Sequence, residues 1–140
     1  MASGVFYQSW KEYIAEGANC GSDSFKVALS NTAPVVGTHT VLADAVEIAN
    51  GNGYTTGGNA AATSSSSQSA GTFKLVLGDP ATWTGSGAGM ATFRYVILYD
   101  DTLASDPLVM YWDYGTTVTL AAGETFTADL SAANGVFTLA

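Results

Sequence analysis

Charge is scarce in this sequence. Of 140 residues, twelve are Asp or Glu and four are Lys or Arg, a net charge of −8. Charged residues make up 11% of the chain, against about 25% in an ordinary soluble domain. Four cations cannot neutralise a run of phosphates, which is the main source of affinity for nucleic acid. Neither nucleic acid nor an anionic membrane surface is therefore an expected partner. Cysteine is nearly absent too. The single Cys20 allows no intramolecular disulfide and no thiolate cluster, and reads as a half-buried small residue. With one histidine, His39, the chain is short of ligands for zinc. The longest clearly apolar run, 108–112, is far too short to span a bilayer. No charged leader followed by an apolar stretch opens the sequence and no Asn-x-Ser/Thr sequon occurs, so the expectation is a product of a reducing cytoplasm without an export address.

The usual catalytic patterns are missing as well. There is no Gly-x-Ser-x-Gly elbow and no Gly-Lys-Ser/Thr pair. In Gly51-Asn-Gly53-Tyr-Thr-Thr-Gly57 the third glycine falls one position too late for a dinucleotide fingerprint, and Gly85-Ser-Gly87-Ala-Gly89 leads into a strand. Both clusters read as turns that need positive φ or close backbone approach. Asp100, Asp101 and Asp106 place three carboxylates in one interstrand loop, an arrangement that can hold calcium. The loop lacks EF-hand spacing, and an acidic turn closed by Pro107 is the plainer account. No cofactor and no enzymatic activity are expected.

What is abundant is apolar and hydroxyl-bearing. The chain is 47% hydrophobic, with seven Tyr, six Phe and three Trp, ample for one core in a single domain over residues 1–140. Thirty Ser and Thr supply much of the polar surface. Phe6, Trp10, Tyr13 and Ile14 recur at helical spacing, which predicts a short N-terminal helix with an aromatic stripe. Residues 24–30 alternate as a half-buried strand, 31–40 form a loop, and 41–49 carry a second short helical pattern. Residues 57–71 are a Ser/Gly/Ala-rich stretch that reads as a linker or as a weak edge strand, with a mobile tip expected. Strand-like runs then follow at 72–77, 81–84, 91–99, 108–113, 116–120, 124–129 and 136–139, with a turn expected at Tyr114-Gly115. About eight strands at this spacing predict an all-β, jelly-roll-like sandwich. The lone Arg94 sits inside the apolar run Phe93–Tyr99, either partnered by an acid, with Asp113 the candidate, or snorkelling to solvent from an edge face.

Two stretches carry a resemblance. One is Leu42-Ala-Asp44-Ala-Val-Glu47-Ile48 leading to Gly51-Asn-Gly53-Tyr54-Thr-Thr-Gly57-Gly58. The other runs from Trp83 through Phe93-Arg94-Tyr95-Val96-Ile97-Leu98-Tyr99-Asp100-Asp101, Pro107-Leu108 and Asp113-Tyr114-Gly115 to Gly123-Glu124-Thr125-Phe126 and Asn134-Gly135-Val136-Phe137. Together they resemble small virion structural proteins of tailed bacteriophages, and among these the capsid cementing or decoration proteins of podophages of the Bordetella phage type. The likeness covers most of the chain and transfers no catalytic motif. It implies a jelly-roll-like domain on the exterior of an icosahedral head, made in the host cytoplasm, that bridges copies of the major capsid protein and strengthens the shell. A homo-oligomer is expected, a dimer being favoured.

Aromatic anchors tend to dominate such interfaces. The expected contacts are Phe6, Trp10 and Tyr13, with Trp83 and Trp112, and the segment 57–71 reaching for neighbours, set against the alternative that the N-terminal stripe belongs to the internal core. A tail or baseplate component, including a receptor-binding module, is the competing reading. In that case Trp83, Trp112 and Tyr114 would stack on sugars. A small virion hydrolase ranks below both, and its sign would be a perturbed carboxylate pair at the base of a cleft.

Overall fold

The computed structural model describes residues 3–140. In chain order the elements are β1 Val5–Phe6, α1 Trp10–Glu16, β2 Phe25–Ser30, α2 Leu42–Ala45, β3 Asn59–Ala61 and β4 Thr63–Ser69. They continue with β5 Thr72–Leu77, β6 Trp83–Thr84, β7 Phe93–Asp100, β8 Leu108–Val118, β9 Thr125–Phe126 and β10 Phe137–Leu139. The protein is an all-β structure with two short helices, and every strand pairing is antiparallel. Five strands form one sheet in the order β1-β8-β7-β2-β3, three form a second as β10-β5-β4, and β6 pairs with β9.

The near-continuous apolar run of β7 follows from its central place. Val96 and Leu98 face a large core shared with Val27, Leu29, Leu75, Leu77 and Phe137, which joins the five- and three-stranded sheets. Ile97 and Tyr99 face a smaller core on the opposite side, closed by Tyr7, Ala45 and Leu108. A strand buried on both faces has no polar face to alternate with.

Four sequence expectations are corrected. Phe6 does not lie on the N-terminal helix: Val5 and Phe6 pair with Tyr111 and Met110 at the sheet edge, and the helix starts at Trp10. The second helix stops at Ala45, because Val46 turns into the left-handed region at φ 53 and Ile48 donates its N–H to the carbonyl of Leu29. No turn forms at Tyr114-Gly115. The expected strands 108–113 and 116–120 are one strand, β8, whose register with β7 slips between the Tyr95–Asp113 and Phe93–Val118 pairs. The extra residues of that bulge include Gly115 at φ 93.

The Ser-rich stretch is built as strand. β3 borders β2 at the edge of the five-stranded sheet, and after the single residue Ala62 the chain becomes β4, the edge of the three-stranded sheet. One continuous border strand therefore links the two sheets.

Candidate functional site

The loop 51–58 is where sequence motif and geometry meet. Gly53 has φ 109, and a Cβ there would come within 2.1 Å of the Thr84 carbonyl oxygen. Gly58 has φ 70, and its Cβ would lie 1.9 Å from the carbonyl oxygen of Val27. Only glycine fits either position. These two close approaches press the loop against β6 and β2 and drive Tyr54 into the core, where it is 2% exposed. The Tyr54 hydroxyl accepts the N–H of Leu29 at 3.2 Å and donates to Oε2 of Glu47. The same carboxylate oxygen accepts the N–H of Gly57 at 2.7 Å. Tyr99 closes the arrangement by donating its hydroxyl to the Gly57 carbonyl at 2.6 Å. Burial first, then the hydrogen bond to Glu47, holds the Tyr54 phenol far above its ordinary range. Burial does the same to Tyr99.

This network floors an open cavity of about 630 Å³ lined by Lys26, Leu42, Glu47, Tyr99, Asp101 and Asp106. Its charged groups are largely committed. Lys26 pairs with Asp101 at 3.2 Å, and Glu47 is held by Tyr54 and Gly57. Partial burial, then the charge of Asp101, raises the Asp106 carboxyl. Among the described residues no serine, threonine or cysteine lining this cavity is hydrogen-bonded to a carboxylate or imidazole, and the bonds of Glu47, Tyr54 and Tyr99 brace β2, β7 and the loop together.

The three loop carboxylates do not converge on a metal. Asp100 Oδ1 accepts the N–H groups of Thr102 and Leu103 at 2.9 and 3.3 Å, while Asp101 turns to Lys26. Among the described residues no group of three or more His, Cys, Asp and Glu side chains is placed to hold a cation. A carboxylate pair of another kind is present. Asp100 is completely buried and its Oδ2 has no hydrogen-bond partner. Burial is the main cause that raises the Asp100 carboxyl, and the neighbouring Asp23 raises it further. Asp23 accepts the N–H of Asn19 at 2.8 Å and borders a depression of about 240 Å³ that Asp100 does not line. The pair is therefore an internal contact and does not form the base of a cleft.

The aromatic residues expected at an interface are mostly internal. Trp10, Trp83 and Trp112 are 0%, 2% and 6% exposed and belong to the large core. Their side chains are enclosed in the folded chain, which is what the core alternative expects of Trp10. Phe6 and Tyr13 are partly buried and pack on the same core, Phe6 edge-to-face with Phe137 and Tyr13 stacked on Trp10. Tyr114 alone of the sugar-stacking candidates is open, at 48% exposure, resting on Phe126. Arg94 meets the expected partner. Its Nε and Nη2 bind the two oxygens of Asp113 at 2.8 and 3.0 Å, and its guanidinium lies over the Tyr95 ring. The Gly115 N–H adds a third bond to Asp113, so the bulge of β8 is built around this carboxylate. Cys20 is half-buried, and burial followed by the charges of Asp100 and Asp23 pushes its thiol up to about 11, which leaves it little thiolate at neutral pH.

Sequence reading missed the Glu47–Tyr54–Tyr99 network and the Asp23–Asp100 pair. The available signals were a tyrosine locked between glycines and an aspartate directly following the apolar run Tyr95–Tyr99. No protein-family profile, curated protein or solved structure matches the chain. Among the described residues no helix is long and apolar enough to cross a membrane.

Proposed function

We propose that this chain is a structural virion protein of a tailed phage. It binds the outside of the icosahedral head, bridges major capsid protein subunits and stabilises the shell, with its sheets arranged in a jelly-roll-like sandwich. The observation that carries the reading is the likeness in residues 42–58 and 83–137. Its most specific part, Gly51-Asn-Gly53-Tyr54-Thr-Thr-Gly57-Gly58, is a loop in which two close backbone approaches and Tyr54 pin the chain to β2 and β6. Such a loop specifies a braced β-body, and a cement must hold its shape under load. Composition agrees with that role: Ser, Thr and Gly are frequent and charge is scarce, and neutral groups cost less to desolvate against a flat protein face than charged ones. Many copies on one lattice then convert modest single-site affinity into avidity.

The exposed ring of Tyr114 favours a second reading, a tail or baseplate component that stacks on sugars. Burial of Trp83 and Trp112 leaves that reading one aromatic where three were expected. Co-sedimentation of the purified chain with expanded heads that lack it separates the two. Saturation at a fixed ratio to the capsid protein, with heads more resistant to heat, supports the cementing role. Absence of head binding, with copies found only in tails, assigns the protein to the tail.

A further inference from the structure

We propose that the open edge of β4 is a pairing surface for a second copy of this chain, joined antiparallel about a two-fold axis. β4 has a neighbour on one side only, and along its other edge no backbone hydrogen bond is made among the described residues. Among the described residues it is, at seven residues, the longest of the strands that end a sheet; β1, β3 and β10 have two or three. Proteins that keep such an edge unpaired blunt it with Lys, Pro or inward charge. Thr63-Ser-Ser-Ser-Ser-Gln-Ser69 has none of these, and its one bulge lies at the extreme end, between Thr63 and Ser65.

A second observation lies beside the edge. Ser66 pairs with Leu75 and is the half-buried residue of β4, facing the inner side of the three-stranded sheet. There an apolar groove of about 460 Å³ runs past Ser66 between Ile14, Ala18 and Cys20 on one wall and Phe73 and Leu139 on the other. Leu139 is 37% exposed. Two copies paired along β4 bring their grooves together under one six-stranded sheet, so the open apolar walls of each face the other across the axis.

Charge selects a second copy as the occupant. Each chain carries −8, so two copies repel over most of their surface. Between Glu47 and Asp79, however, there is no acidic residue and one basic residue, Lys74, which donates to the Ala133 carbonyl. The border strand is thus the part of the molecule where two copies meet without opposing carboxylates. A partner chosen for positive charge would be drawn elsewhere. Pairing centred on Ser66 sets Ser65 against Ser67 and Thr63 against Ser69, the hydroxyl pairs that stabilise antiparallel neighbours. The contact is self-complementary, as a two-fold interface requires.

The test is the mass of the full chain in solution by light scattering or sedimentation. The wild type is expected at twice 14.3 kDa. The double variant S65E/S67E sets four carboxylates across the axis at positions exposed in one copy, and is expected at half the wild-type mass with an unchanged circular dichroism spectrum. Ser66→Cys in a Cys20→Ser background is expected to form a disulfide-linked dimer on mild oxidation, which tests the register even if the double variant folds poorly. A monomeric wild type overturns the proposal, as does a dimer that survives S65E/S67E or a Ser66→Cys chain that fails to cross-link. A monomer whose head binding is lost in S65E/S67E also overturns it, and assigns the edge to a strand from another protein. Head binding and dimer formation are read separately, so failure of one is not mistaken for failure of the other.

Discussion

Asp100 is the residue whose environment departs furthest from what its chemistry prefers. It ends a strand buried on both faces, with one oxygen capping the turn at Thr102 and Leu103 and the other enclosed beside Asp23. A carboxyl there holds its proton better than in the unfolded chain, and its pKa rises to about 6. Between the ordinary aspartate pKa and about 6 the folded state binds more protons than the unfolded one, so stability falls as pH rises through that window. The penalty is complete above it and absent below about pH 4. Asp100→Asn keeps an oxygen for the two N–H groups and supplies a permanent donor toward Asp23. It should stabilise the protein at pH 8 by at most about 3 kcal/mol and change little at pH 4. Urea midpoints at the two pH values check this. Equal shifts at both, or a loss at pH 8, would show that the carboxylate is not under strain. Tyr54 is the opposite case, a buried phenol whose donor and acceptor roles are both filled.

Among the elements, α1 carries the sharpest choice between core and interface. The helix has only seven residues and no side-chain cap at Ser9, so it is held by what it buries. Trp10 supplies most of that: it is fully enclosed, stacked with Tyr13 and edge-on to Phe25 of β2. Trp10→Ala should cost about 3–5 kcal/mol in a denaturant titration. A folded variant with near wild-type stability that fails to bind heads would return Trp10 to the interface. The sequence carried this element's inward stripe of Trp10, Tyr13 and Ile14, but not its start, because a Val-Phe pair serves an edge strand as readily as a helix. β2, β5 and β7 were legible from their apolar runs, and the Arg94–Asp113 pair from a lone charge in such a run. β4 was legible only as one of two alternatives, a linker or a weak edge strand, since it has no apolar side chain and its order comes from pairing with β5. The second helix was overestimated for a similar reason. The bond from Ile48 to Leu29 is non-local and overrides the helical pattern.

On the scale of the whole molecule, one core connects almost everything. Trp10 from α1, Trp83 from β6 and Trp112 from β8 all lie in the cluster that also takes Leu75 and Leu77 from the three-stranded sheet. The border strand β3–β4 ties the two larger sheets covalently at one edge, and Tyr54 ties the loop before it to β2. No sheet can be opened without exposing apolar surface that the others share. Unfolding should therefore be a single cooperative transition, as small domains with one core usually show. The three tryptophans report on different elements of that core, so their fluorescence and the far-ultraviolet circular dichroism should give the same midpoint in urea. Separated midpoints would mean that the three-stranded sheet comes away first, which would take Phe73, Leu75 and Phe137 out of the common core and leave the β4 edge on a part too loose to brace a shell.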